Sequence, residues 1–425
     1  MLRAFVNAFK IPDLRKKILF TVLIIFVYRV GSHLPLPNVN FDVLAEQVRQ
    51  QAQGGVLGFI NLFSGGALQR LALFALGIMP YITSSIIMQL LTVVIPKLEQ
   101  WQKQGEVGTK KITQWTRYMT VTLALLQSTG LVFLFNTQFT GSIRVFNPPR
   151  VAFMVLTLTA GTALIMWLGE LITQRGIGNG MSILIFTSVI STLPSEGATL
   201  LSTAGGAAFA VVMGIGVAII VAVVFMEQGQ RRIPVQYAKR VVGRRMTSGG
   251  STYIPLKVNQ AGVIPIIFAS SVLYFPTLIA SALGEGWFKR FVDNNLSNQT
   301  SIAYLVIFGL MVVFFAYFYT AISFNPKDTA DNIRKYGGFI PGIRPGKPTS
   351  DYLEKVLSRI TLPGSLFLAV IALTPSIALF FLPLSQSQQF SFGGTSVLIT
   401  VGVALETMKQ LESQLTMRHY EGFLR

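Results

Sequence analysis

Side chains able to make and break bonds are scarce in this chain. His33 and His419 are the only histidines. One stands two residues before Pro35 in a turn and the other near the C-terminal end, so neither a shared metal site nor a triad is expected. Cysteine is absent, which removes disulfides, a thiol nucleophile and thiolate metal ligands. No GxxxxGK[ST] phosphate loop occurs. The carboxylates within apolar stretches are chiefly Glu170, in "MWLGELITQRGIGNGMS", and Glu406. Glu170 lies near Arg175, and a capping or ion-pair role suits it. Ion-coupled transporters carry intramembrane carboxylates along their pathways, so this poverty disfavours one. Neither an enzyme nor a cofactor is expected.

The elements that would hold these residues are apolar. Of 425 residues 51% are hydrophobic and 12% charged, with a mean hydropathy of +0.56, outside the range of a water-soluble domain of this length. Ten apolar segments stand out: Ile18–Val30, Leu71–Ile95, Tyr118–Phe135, Val151–Leu171, Met181–Ile190, Ala207–Met226, Ala261–Leu283, Ile302–Phe324, Leu362–Leu384 and Ser396–Leu411. Continuous runs of this kind predict transmembrane helices rather than the alternating strands of a barrel. The net charge is +18, and most lysines and arginines fall in alternate connections, which places both termini in the cytoplasm. The first apolar run has no small-residue cleavage site after it and reads as a retained span.

Ten spans divide into an N-terminal half, 1–190, and a C-terminal half, 191–425, at a loop near Ser191–Gly206. Five spans per half would make the halves inverted repeats around a central pathway. Residues 56–95 do not fit a single span, because forty residues of helix would reach about 60 Å. The stretch "VLGFINLFSGGALQR" therefore predicts a short non-spanning element before the true span. Two readings are open for it, an interfacial amphipathic helix or a re-entrant element filling a cavity.

Two long connections, about 227–260 and 325–361, each carry seven basic residues. In the first, "RIPVQYAKRVV" alternates and predicts a hairpin turning around "TSGG". The charges could serve topology and anionic membrane lipids alone. Their length, their glycines and prolines, and the aromatic Tyr336 and Phe339 also fit docking elements for an acidic protein surface or a ribosomal RNA backbone.

At "ALGIMPYITSSIIMQLL" and "MWLGELITQRGIGNGMSILIF" the chain resembles the SecY family, channel subunits of the bacterial protein-conducting translocon. The resemblance runs from the first span to "FGGTSVLI" in the last. It implies an all-α integral membrane protein with ten transmembrane helices in two inverted halves around a central pore. It implies that unfolded polypeptides cross the cytoplasmic membrane through it and that transmembrane segments leave sideways. A plug is implied at Leu57, Phe59, Ile60, Asn61, Phe63, Ser64, Gly65, Gly66 and Arg70. A pore ring is implied at Ile78, Ile82, Met181, Ile185, Ile267 and Ile399, with Met181 departing from the usual isoleucine. An apolar ring suits a gate that excludes water by dewetting.

Thr83, Gln127 and Asn259 match the family's lateral-gate cluster, and Arg244, Arg245, Arg344 and Lys347 its docking surface. The partners implied are SecE and SecG-like small subunits, the SecA motor ATPase, the translating ribosome and the signal sequences of exported proteins. Pro80 is expected inside the second span, its freed backbone groups satisfied by neighbouring protein. A small-solute facilitator with inverted repeats and a non-conducting membrane scaffold are the rival readings of the residues alone.

Overall fold

The computed structural model describes residues 9, 11–40, 44, 61–139, 141–237, 240–242, 245–247, 251–283, 286–297, 301–381 and 394–423. The chain is mostly helical. Helix α1 spans Pro12–Gly31. Further along the chain come α2 (Met79–Val94), α3 (Pro96–Lys103), α4 (Glu106–Gln138) and α5 (Pro148–Arg175). Prolines open α1, α2, α3 and α5 within the first turn, where a missing N–H forfeits no intrahelical bond.

Pro80 is one of these. It sits at the start of α2 rather than in its interior, because Leu71–Ile78 is not helix but a left-handed residue followed by turns. The helix proper has 16 residues, and the chain bends by 101° between α2 and α3.

Helix α6 runs Gly180–Gln228 and is broken at Gly205, whose φ of 79° and ψ of 170° no helix contains. The stretch Ser191–Gly206, expected as a loop, is therefore helical up to this break. Its residues carry no breaker stronger than Pro194, which the helix absorbs. The remaining helices are α7 (Ile264–Leu283), α8 (Trp287–Val292), α9 (Ile302–Ser323), α10 (Pro326–Lys335), α11 (Lys347–Phe381) and α12 (Gly394–Phe423). All ten apolar segments contain helix. Among the described residues five helices are long and apolar enough to cross a membrane by themselves, and the bent pair α2–α3 brings the number to six if it is one span.

The "GELITQRGIGNGMS" motif builds the reversal between α5 and α6. Thr173 Oγ1 accepts from Gly180 N at 2.9 Å, and Asn179 caps α6 by accepting from Met181 N at 3.1 Å. Thr21 of α1 accepts from Ile177 N at 3.2 Å. Gly169 and Gly180 let the two backbones touch: a methyl on Gly180 would run into the carbonyl of Gly169, and one on Gly169 would meet the Met181 sulfur at 2.5 Å. The glycines of this motif thus fix where Met181 enters the molecule.

The two basic connections fold together. Strands β1 (Gln230–Tyr237) and β4 (Ser251–Lys257) pair antiparallel, and β5 (Gly338–Phe339) from the second connection adds to the far edge of β1. Between β1 and β4, β2 (Arg240–Val242) and β3 (Arg245–Thr247) form a small ribbon with Val242 opposite Arg245. The pairing thus turns back between β2 and β3 rather than beyond Thr247, and residues 248–250 of "TSGG" lie outside the described residues. Ile233, Val235, Leu256, Ile333, Ile340 and Leu353 are buried in one core shared by both connections. Alternating burial along β1 puts Ile233 and Val235 on the face toward α10 and α11.

Candidate functional site

The six residues matched to a constriction come from four elements and both halves, and they meet. Ile78 caps the start of α2, Ile82 lies one turn on, Met181 and Ile185 lie one turn apart at the start of α6, Ile267 is on α7 and Ile399 on α12. Five are buried in one apolar cluster and Ile82 packs at its edge. Spacing of four in α2 and in α6 puts each pair on one helical face.

Leu62 and Phe63 belong to the same cluster. Leu57, Phe59 and Ile60 lie outside the described residues. Residues 61–64 are helical and 65–67 form a turn tied back to them. Gly66 N donates to the Asn61 carbonyl at 3.0 Å, Ser64 Oγ donates to the same carbonyl at 3.1 Å, and Asn61 Oδ1 accepts from Gln69 N at 3.3 Å. Gly65 and Gly66 have φ of 63° and 84°, a region that favours glycine. Asn61 and Ser64 are buried, Arg70 is exposed, and Leu68–Arg70 forms one 3₁₀ turn.

Gly77 of "ALGIMPY" packs its backbone against Phe63 and Ser64. Its φ is 57°, and a Cβ there would lie 2.9 Å from the carbonyl oxygen of Phe63. Arg29 reaches the opposite side, donating from Nη1 to the Gly65 carbonyl at 3.0 Å and to Ser191 Oγ at 2.8 Å. Neither contact was foreseen. The Gly77 position is a visible signal in the motif, whereas Arg29 reads in sequence as an ordinary cation at a helix end.

The three gate-matched residues are all buried but share no hydrogen bond among the described residues. Thr83 Oγ1 donates to Met79 O of its own helix at 2.9 Å. Gln127 Oε1 on α4 is buried without a partner among those residues. Asn259 Nδ2, just before α7, donates to Glu227 Oε2 at 3.0 Å and to Gly262 O at 3.3 Å. Helix α7 packs against both α2, which carries Thr83, and α4, which carries Gln127.

Arg344 and Lys347 are exposed, flanking the turn before α11. Arg344 lines a shallow cleft of about 540 Å³ with Phe339 and Ile343, and Lys347 a larger one of about 770 Å³ between α9, α10 and α11. Arg244 lies outside the described residues, and Arg245 falls in β3. Glu170 pairs with Arg117 of α4 rather than Arg175: Nε donates to Oε1 at 2.8 Å and Nη2 to Oε2 at 2.6 Å. That two-pronged geometry is the strong form of a charged hydrogen bond.

Fold and site together define a multi-pass helical membrane protein with a channel architecture and a buried apolar waist. The SecY family model matches residues 72–408. A protein translocase subunit SecY of Streptomyces galbus is 57% identical over the full length of both chains. A solved structure described as a protein conducting channel superposes with a TM-score of 0.65 at 19% identity, covering 96% of each chain. Sec61 from a canine ribosome-channel complex of the endoplasmic reticulum matches at 0.60 and 17%, again covering 96% of each. The chain belongs to the SecY family, the protein-conducting channel subunits of the Sec translocon, and it is a conduit rather than an enzyme.

Proposed function

We propose that the channel is sealed in two layers, a ring of Ile78, Ile82, Met181, Ile185, Ile267 and Ile399, and a plug formed by 57–70 lying against it. The observation that carries this reading is the joining of the ring positions with Leu62 and Phe63 in a single buried apolar cluster. Aliphatic side chains exclude water when nothing fills the pore and move aside for a polypeptide, and the unbranched Met181 is the most deformable of them.

Thr83, Gln127 and Asn259 form the seam through which signal sequences and membrane segments pass into lipid. An unpartnered amide oxygen on Gln127 keeps that seam less stable than an apolar one. The residues 1–190 and 191–425 act as the two halves, with both termini in the cytoplasm and SecE and SecG-like subunits bracing them. The joint unit built from the two basic connections, with Arg244, Arg245, Arg344 and Lys347, receives SecA or the translating ribosome. The ribosome-bound Sec61 among the structural relatives supports that assignment.

The test is conductance in planar bilayers with the small subunits present, comparing the intact chain with one lacking 57–70. Currents confined to the deletion support the plugged pore. Silence from both, with the protein folded and inserted, removes the plug assignment.

A further inference from the structure

Arg29 stands in the last turn of an apolar helix, a place where charge is expensive unless partnered. Among the described residues no carboxylate pairs with it. Its two acceptors, the Gly65 carbonyl and Ser191 Oγ, belong to the plug stretch and to α6. One guanidinium nitrogen therefore joins three separate parts of the chain.

The surroundings fix that nitrogen in place. Tyr28 is fully buried, its ring stacks on Phe74 with centroids 5.6 Å apart, and its hydroxyl shares a 2.6 Å hydrogen bond with Ser188 Oγ. Ser191 Oγ donates to Ser188 O at 2.7 Å, which leaves its lone pairs for Arg29. The fit around Gly65 is close: a Cβ there would lie 3.0 Å from Arg29 Nη1, 3.1 Å from Ser188 Cα and 3.2 Å from Ser191 Oγ. Gly66, next along, would meet nothing within 4 Å. Contact is concentrated at the one residue whose carbonyl Arg29 holds.

We infer that Arg29 is the latch of the plug, holding the Gly65 turn against α6 through a charged hydrogen bond to the backbone. This rests on the reading of 57–70 as a plug. A carbonyl and a hydroxyl hold a cation more weakly than a carboxylate does, so the turn can leave without separating an ion pair and can return. Because the acceptor on the plug is backbone, the latch constrains Gly65 itself, where no side chain fits, and not the side chains of its neighbours.

The native chain has no cysteine, so Ser64→Cys supplies a unique thiol on a fully buried plug residue. In the full-length protein with its small subunits in proteoliposomes, R29L is expected to raise the labelling rate of that thiol by a polar maleimide at least about tenfold, equivalent to about 1.4 kcal/mol. Basal ion conductance should rise with it. R29K keeps a charged donor and is expected within about threefold of the parent.

Parental labelling and a sealed membrane in R29L, while deletion of 57–70 conducts, would overturn the latch and leave the plug standing. A silent deletion would remove the plug and the latch with it. Should R29L fail to accumulate, S191A carries the same test: faster labelling supports the latch, and an unchanged rate overturns it.

Discussion

Asn259 is tied to Glu227 by a 3.0 Å hydrogen bond from its side-chain amide to Oε2, across 32 positions of sequence. Asn259 is thus held by the opposite end of its own connection, 227–260. Replacing Glu227 by Leu should leave Asn259 only its weaker bond to the Gly262 carbonyl and shift the proposed gate equilibrium by about 1–2 kcal/mol, whereas E227Q keeps an acceptor and should change little. Export of a substrate with a weakened signal sequence reads the shift. N259L and E227L should be non-additive in the double variant, and simple additivity would sink the coupling.

Gly77→Ala introduces a side chain at a φ of 57° and presses it on the Phe63 carbonyl. The backbone penalty alone is about 1–2 kcal/mol. The outcome expected is a folded, inserted protein with raised basal conductance. Wild-type conductance would show that this contact does not seat the plug stretch.

Arg117 and Glu170 join α4 to α5, with the Glu170 side chain 15% exposed and that of Arg117 37% exposed. Removing Arg117 strands a mostly buried carboxylate and should destabilise the protein by about 1–3 kcal/mol, less than for a fully buried pair because water screens the arginine. R117L is expected to lower the midpoint of thermal unfolding in detergent more than the R117L/E170L double variant does. The reverse order would contradict the pairing.

Leu353 is completely buried between the two basic connections. Leu353→Ala should cost that unit about 2–5 kcal/mol and expose both connections to limited proteolysis together, with the membrane helices unaffected. Cleavage confined to one connection would mean that the shared core does not couple them.

How much of this was legible in the sequence depends on the reach of each interaction. Apolar runs and the two glycine motifs are local signals, and they located the ten helical segments and the chain reversal before Met181. The start of α2 was misplaced because hydropathy does not distinguish Leu71–Ile78, buried turns, from buried helix. For the same reason Ser191–Gly206 was read as loop: it is less apolar than its flanks but carries helix-compatible residues as far as Gly205.

Register decided the β-ribbon. Pairing of Val242 with Arg245 displaced a turn that glycine content alone put at "TSGG". Arg29, Arg117 and Glu227 were invisible because each partner lies between 32 and 162 positions away, and nothing in composition links such distant residues.

The contact between Gly169 and Gly180 also has a mechanical meaning. With two backbones touching at Gly169 and Gly180, the start of α6, with Met181 and Ile185, keeps a fixed position relative to α5. Ile267 and Ile399 ride on α7 and α12, and α12 packs Leu411 and Leu415 against Leu14 and Ile18 of α1. The apolar cluster is thus built on one joint, α5 to α6, that has no room to slide.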